Sequence, residues 1–451
     1  MITVLAAACL PAAEKPAQPA RPNIVFIFAD DWGWGDLSYH GHPWLKTPHI
    51  DQLAREGIDF HQFNVLNPVC SPSRAAALTG QYPARYSIHE HFVPGIDALR
   101  GMPDWLDPKA PTIARFLKKA GYRTAHFGKW HLTVGDAVGA PDLTAYGFDE
   151  FAVFGGLRGW KKAGFHDTAQ NAVRFIHANK DRPFFVNVWL HETHTPHVPT
   201  QESQKQWKKL DEQKRIYAAV VTDGDKDVGK ILAALKDAGV EQNTIVLFAS
   251  DNGPEVTGQD KQRGVGLGTF YSIGSTGGLK GRKRSLFEGG VRTPFIVRWP
   301  GHTPAERVDR TSVIAAVDLL PTLCAAAGVT LPADYQGDGE NRLPTLTGKP
   351  TPRTKPLFWE WRGNGDGPNW PRLGVRAGNW KLVMTYDKSR VELYNVAKDR
   401  AEAKNVAADH PGVVERLTQM ALDWKATLPK SPPACCPSQA ATSPRASEPE
   451  N

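Results

Sequence analysis

The sequence predicts an α/β protein: a large, mainly parallel β-sheet flanked by helices, followed by a smaller C-terminal α+β subdomain with an antiparallel sheet. Three observations predict it. Apolar runs lead directly into polar residues: Asn23 to Ala29 into Asp30-Asp31, Tyr122 to Phe127 into Gly128-Lys129-Trp130-His131, Phe184 to Leu190 into a histidine cluster, and Thr244 to Ser250 into Asp251-Asn252-Gly253. Continuous apolar runs suit strands buried on both faces, the condition of a parallel sheet. Helical segments alternate with these strands, and beyond about Thr345 the texture changes to Pro- and Gly-rich segments between short strand-like pieces. In such sheets ligands bind outside the carboxyl ends of the strands, where the polar clusters fall.

Each element has its own local reason. Thr47-Pro48 to Gly57 opens on a capping residue and a proline suited to the first helical position, and ends on glycine. Ser71 and Pro72 repeat that opening, and Gly80 is placed to end a second helix in a left-handed conformation. Thr112 to Gly121 puts Ile113, Phe116, Leu117 and Ala120 on one stripe, and Arg215 to Gly239 carries Val228, Ile231, Leu232 and Leu235 at helical spacing. Pro356 to Trp361, Gly374 to Arg376 and Trp380 to Met384 read as an antiparallel meander closed by a helix over Gly412 to Leu428. The resulting division is 1–20 for a signal-peptide remnant and linker, 21–348 for the main domain, 349–428 for the subdomain and 429–451 for a disordered tail.

Apolar residues at 41% and charged residues at 22% are ordinary for a globular protein and exclude wholesale disorder. The net charge of +7 is modest for this length and compatible with a polyanionic substrate. No Lys/Arg stripe interleaves with aromatics, so no nucleic-acid partner is expected, and no run has transmembrane length. Met1 to Ala13 reads as a signal-peptide remnant without its basic region, which predicts export to a periplasmic or extracellular location. A lipoprotein form is a weaker expectation, because Leu5 lies one position too far upstream of Cys9. Cys9, Cys70, Cys324, Cys435 and Cys436 are too sparse for a disulfide framework. Cys324 sits in an apolar run, and the vicinal pair lies in the tail, so Cys70 is the cysteine that requires an explanation.

Cys70 sits just ahead of a predicted helix N-terminus, where backbone N–H groups favour an anion, and Arg74 adds a fork suited to oxyanions. A buried thiol beneath a helix cap accounts for the short pattern equally well. Asp30, Asp31, Asp251 and Asn252 are four oxygen donors at two strand ends. They suit a hard divalent ion, calcium before magnesium, although either pair alone reads as a polar turn. His191, His194 and His197 lack the helical spacing of a zinc protease, and Pro196 forbids a regular helix there.

Cys70-Ser71-Pro72-Ser73-Arg74, running into Ala75-Ala76-Ala77-Leu78-Thr79-Gly80, resembles the signature of the type I, formylglycine-dependent sulfatases, the arylsulfatase family of the alkaline-phosphatase-like superfamily. Gly128-Lys129-Trp130-His131-Leu132 and the segment from Leu279 to Arg292 resemble two further motifs of that family, and the resemblance runs from about Arg21 to Arg298 and weakens through Pro344. It implies an alkaline-phosphatase-like sandwich and makes 21–348 the catalytic domain. It implies that Cys70 is oxidised to formylglycine by a formylglycine-generating or anaerobic sulfatase-maturing enzyme, and that one Ca2+ is held by Asp30, Asp31, Asp251, Asn252 and residue 70. It makes Lys129, Lys283 and Arg74 ligands of the sulfate oxygens, His131 the partner of the formylglycine, and His194 the acid for the leaving alcohol, with His197 the second choice. Lys283 is selected over Lys280 by its spacing to Glu288, although Arg284 stands where relatives often carry a small residue. The implied reaction is sulfate-ester hydrolysis by a gem-diol nucleophile, most simply on a sulfated sugar from a glycosaminoglycan or an algal-type polysaccharide.

Specificity is expected from four loops, Tyr82 to Trp105, Phe154 to His166, Pro254 to Thr276 and Trp359 to Trp370. Within them His89, His91, Arg100, Trp105, Arg158, Trp160, Arg263, Trp361 and Arg362 form a candidate lining for an anionic sugar, most with packing or solvent-facing alternatives. Two other functions stay open from the sequence: a phosphonate or phosphate ester hydrolase of the same superfamily, and a glycan-binding protein with a silent site.

Overall fold

The protein is described by a computed structural model that covers residues 21–436 apart from 136, 155–163, 165, 258–271 and 364–369. Its strands are β1 (Asn23–Ala29), β2 (Ile58–Phe60), β3 (Phe63–Asn64), β4 (Arg123–Lys129), β5 (Glu150–Phe154), β6 (Phe184–Trp189), β7 (Thr244–Ser250), β8 (Phe295–Arg298), β9 (Arg307–Asp309), β10 (Ile314–Ala315), β11 (Leu357–Glu360), β12 (Leu373–Ala377), β13 (Trp380–Met384) and β14 (Val391–Asn395). Eight of them form one sheet in the order β5-β4-β6-β1-β7-β8-β2-β9, in which β8 alone runs against its neighbours.

The apolar runs behave as two-sided strands. All seven residues of β1 are buried. Ile24, Phe26 and Phe28 enter the core beneath the helices Cys70–Thr79, Ile113–Lys119 and Leu319–Ala326. Val25, Ile27 and Ala29 enter the opposite core, beneath Pro48–Arg55, Thr168–Ala178 and Glu212–Asp237. This period of two splits one continuous apolar run between two cores, so neither face can be solvated.

The second sheet is the expected antiparallel meander, in the order β11-β12-β13-β14, with the helix Pro411–Ala426 against it. Its fourth strand, Val391–Asn395, had no reading in the sequence. Leu357, Trp359, Val375, Leu382, Leu417 and Trp424 belong to the same continuous core as Phe26 and Leu320, so the subdomain is anchored by shared apolar burial. A buried charge cluster adds to this: Lys381 Nζ lies 2.8 Å from Glu288 and 3.2 Å from Glu402, all with fully buried side chains. Removing Lys381 would take the cation from Glu402 and leave Glu288 to Arg292 alone.

One local expectation is corrected. The helix carrying Cys70 starts at Cys70 itself with Val69 as its extended cap, because Ser71 Oγ instead accepts the Phe92 N–H at 3.1 Å. At the other end Gly80 does close the helix left-handed, at φ 68°. The first residues of the expected tail are described as far as Cys436, whose thiol is buried.

Candidate active site

Strand register assembles the site. β1 pairs in parallel with β6 at Ile27↔Val188 and with β7 at Ala29↔Ser250. Continuing each pairing past the strand ends brings Asp30 level with His191 and Asp251, and Asp31 level with Asn252. β4 ends on Lys129 beside β6. Gly128 makes that approach feasible: its φ is 101°, and a Cβ there would lie 2.1 Å from the Trp189 carbonyl oxygen. Residues from four strand ends therefore converge over the N-terminus of the helix that begins at Cys70.

Every carboxylate there has a cationic partner. Asp30 Oδ2 receives Lys129 Nζ at 2.7 Å and His191 Nδ1 at 2.6 Å. Asp31 Oδ2 receives Lys283 Nζ at 2.7 Å, and Asp31 Oδ1 receives Asn252 Nδ2 at 2.7 Å. Asp251 Oδ2 receives Arg74 through Nη2 at 2.6 Å and Nε at 2.9 Å. Asp31 holds a left-handed φ of 59°, uncommon for a residue with a Cβ and a form of strain found at functional sites. The Cys70 sulfur lies 3.5 Å from both Asp30 Oδ1 and Lys129 Nζ.

Burial and charge separate these acids. Burial opposes ionisation of Asp30, but Lys129 and Arg74, with the His191 hydrogen bond, outweigh it and hold the carboxyl well below the usual range. Asp251 is pushed up to about 7 by burial against the pull of Arg74, and Asp31 is raised by burial and by Asp30 against the pull of Lys283. Burial also drives the Cys70 thiol far above its ordinary value, so it is not a thiolate near neutral pH. His191 falls to about 4 through burial. His194 and His131 fall well below the usual range, through burial and then Lys129.

The donor set fits a hard divalent cation. Ligand atoms from Asp30, Asp31, Cys70 and Asp251 all lie within 4.8 Å of one another. Asn252 Oδ1 is buried beside them without a hydrogen-bond partner among the described residues. Three carboxylates and an unsatisfied amide oxygen are calcium-type donors.

The Sulfatase family profile matches residues 22–329, and a second profile, described as N-sulphoglucosamine sulphohydrolase, C-terminal, matches 281–425. The N-acetylgalactosamine-6-sulfatase of Mus musculus is 32% identical, over 94% of this chain and 82% of its own. The chain is a type I sulfatase of the alkaline-phosphatase-like superfamily. Among its relatives is the N-acetylgalactosamine-6-O-sulfatase of Bacteroides thetaiotaomicron, 27% identical over 89% of this chain and 92% of its own. The crystal structure of Ps i-CgsB in complex with k-i-k-neocarrahexaose superposes with a TM-score of 0.77 at 25% identity, covering 92% of this chain and 96% of that one.

Within the sulfatase, Lys129 and Lys283 stand at the centre as the motifs implied, and His194 Nε2 lies 3.9 Å from Asp31 Oδ2 with its ring stacked on His191. His131 bonds the Phe92 carbonyl oxygen through Nε2, which leaves Nδ1 buried without a partner. His191 is the residue that sequence reasoning passed over, and only its strand-end position signalled it. His197 belongs elsewhere, with Nε2 on the Thr193 carbonyl oxygen and its ring against Tyr217. Arg74, expected on sulfate, is turned toward a carboxylate in the structure. Its guanidinium is fully buried, lies 5.0 Å over Trp189 and directs its fork at Asp251, so it positions a carboxylate.

The expected sugar-binding residues divide. His89 is buried 3.0 Å from Glu360, Trp361 is 1% exposed, and Trp105 is packed beside Thr133, so these three side chains are enclosed by the protein. His91 and Arg100 keep partly exposed side chains, and the His91 ring lies 6.3 Å from that of His131. Arg362 is partly exposed and paired with Glu360. Arg158, Trp160 and Arg263 lie outside the described residues.

Proposed function

We propose that this sulfatase removes sulfate esters from a sulfated carbohydrate fragment, of glycosaminoglycan or algal-polysaccharide type, with residue 70 matured to formylglycine and one calcium ion at Asp30, Asp31, Asp251 and Asn252. The observation that carries this is the convergence of three carboxylates and two lysines on Cys70. The relatives named for N-acetylgalactosamine-6-sulfate and the neocarrahexaose complex support a sugar as the alcohol. When present, the calcium ion and the hydrated aldehyde supply electrostatic polarisation of the ester and an oxygen nucleophile.

The protein's own residues supply the rest. Lys129 and Lys283 are buried cations held beside residue 70, fixed where negative charge grows on the sulfate oxygens, and such prearranged charge is typically the largest rate contribution. His194, kept neutral by its surroundings, takes up a proton with the incoming sulfate ester monoanion and delivers it to the departing sugar oxygen. His131, with one nitrogen anchored on Phe92, offers the other to the hydroxyl of the matured residue. A thiol could act only as a weak nucleophile in this site and has no second hydroxyl with which to expel sulfate, which is the chemical reason for maturation.

Export also belongs to this reading, because a polysaccharide substrate lies outside the cell. Among the described residues no helix is long and apolar enough to cross a membrane.

The test is mass spectrometry of the peptide spanning residue 70, from protein produced with a sulfatase-maturing enzyme, paired with desulfation assays on sulfated sugars. An aldehyde at residue 70 with release of sulfate is expected. An unmodified thiol in protein that nevertheless releases sulfate would overturn the mechanism, and turnover confined to phosphonate esters would overturn the substrate class.

A further inference from the structure

A second cluster lies away from the catalytic carboxylates, between the loop that follows Asp31 and β2. His40 Nε2 lies 2.9 Å and His61 Nε2 lies 3.0 Å from one and the same oxygen, Asp59 Oδ2. The three ligand atoms all lie within 4.8 Å of one another. His40 Nδ1 lies 2.6 Å from the Trp34 carbonyl oxygen, a contact that requires the proton on Nδ1. In the neutral ring Nε2 is then a lone pair aimed at a carboxylate. That arrangement repels unless a second proton or a cation stands between them.

The surroundings favour a cation. The Asp59 side chain is fully buried, and its other oxygen, Oδ1, has no hydrogen-bond partner among the described residues. Such an atom costs free energy unless something satisfies it. A backbone carbonyl on the far nitrogen of a histidine is the common outer partner of a metal-bound imidazole, because it fixes both tautomer and ring orientation. Trp34 stacks on His40 at 4.1 Å and meets His61 edge-on at 5.1 Å, closing one side with an apolar wall. The His61 side chain, 16% exposed, leaves an open side for the ion and a water ligand.

We propose that His40, Asp59 and His61 bind a divalent transition-metal ion, zinc by their chemistry, at a site separate from the catalytic centre. Two imidazole nitrogens and one carboxylate oxygen suit zinc, whereas calcium prefers oxygen alone. Tetrahedral bonds of ~2.0–2.1 Å set ligand atoms about 3.3 Å apart, so the two nitrogen-to-oxygen separations of 2.9 and 3.0 Å need to open only slightly. The ion carries out no step of hydrolysis. It ties the segment that continues from Asp30-Asp31 to β2, beside β8 and β9.

The test uses the full-length protein, freed of metals by chelation and then saturated with calcium, with zinc added by calorimetric titration and counted by elemental analysis. One zinc per chain is expected in addition to calcium. His61→Gln, a change at the rim, should weaken zinc binding at least tenfold, Asp59→Asn should do the same, and His191→Gln should leave it unchanged. Cobalt in place of zinc should give the visible absorption of a low-coordinate site, lost in His61→Gln. No zinc uptake above calcium would overturn the proposal, as would wild-type affinity in His61→Gln. Loss of zinc in His191→Gln would also overturn it, by assigning the ion to the catalytic cluster. If Asp59→Asn fails to fold, His61→Gln alone decides.

Discussion

Replacing Arg74 by lysine keeps the charge and removes the fork, and the structure sets the size of the effect. Arg74 makes two hydrogen bonds to Asp251 Oδ2, at 2.6 and 2.9 Å, and lies 5.0 Å over the Trp189 ring, with no solvent exposure. Lysine can replace one of those hydrogen bonds. Losing the other costs ~1.5–3 kcal/mol for a bond to a charged group, and part of a desolvated cation–π contact of about 2 kcal/mol is lost with it. The expected destabilisation is ~2–4 kcal/mol, a large share of the ~5–15 kcal/mol that holds a typical protein folded. Urea unfolding of calcium-loaded and chelator-treated protein would measure it. Arg362→Lys, at a pair whose arginine side chain is 37% exposed, is the control and should change stability by less than about 1 kcal/mol. Because Asp251 already sits at about 7 with Arg74 present, the variant should also need more calcium for half-maximal activity. Unchanged calcium dependence with a raised KM would refute the positioning role and return Arg74 to the substrate. A loss of stability below about 0.5 kcal/mol would refute the energetic argument.

Other outcomes follow from the same geometry. His194→Gln should lower kcat by roughly 10²–10⁴ on a sugar sulfate and far less on an aryl sulfate with an acidic phenol, which needs no proton to depart; equal losses on both would remove the acid role. His91→Ala and Arg100→Ala should raise KM for a sulfated sugar, while Trp361→Phe should leave it unchanged, as steady-state kinetics on one substrate would show. Chelation should abolish activity, and calcium should restore it better than magnesium, which dehydrates reluctantly and demands octahedral geometry. Glu360 is fully buried yet held far below the usual carboxylate range, because His89, Arg362 and Lys425 outweigh burial. Its stabilisation is therefore present above the ordinary carboxylate value near 4.5 and is lost as pH falls through the depressed one. The stability gap between wild type and Glu360→Gln, followed by unfolding at stepped pH, should be constant near neutrality and shrink below that value.

The fold was legible where one physical constraint dominates a segment. Seven consecutive buried residues in β1 and in β7 can satisfy only a strand covered on both sides, and the sequence boundaries of both strands matched the structure. β14 escaped because its residues, Val391-Glu392-Leu393-Tyr394-Asn395, alternate only weakly and carry a charge. Glu392 is accommodated by Arg390 within the strand's approach and by Lys280 from a distant loop, the second a tertiary contact the local sequence does not show. The helix start at Cys70 was missed by a similar route, since the hydroxyl of Ser71 is taken by Phe92, twenty-one residues on.

The site divides along the same line. Asp30, Asp251, Lys129 and Cys70 could be found because each ends a strand or begins a helix, and a parallel sheet gathers such ends at one edge. His191 occupies an equivalent position, but only the pairing Ile27↔Val188 shows that it meets Asp30 rather than Asp31 or solvent. The sugar-binding residues had no such constraint. His, Trp and Arg in a loop are chemically fit both for a sulfated sugar and for packing, and what decides is how far the folded chain encloses the side chain itself. Glu360 holds His89 in the interior from another part of the chain, while His91, paired with the buried Glu90, keeps a partly exposed ring. Catalytic groups are therefore tied to the backbone frame that the sequence encodes locally. The residues expected to set specificity are sorted by surroundings that only the folded chain brings together, so the catalytic motifs by themselves do not read out the substrate.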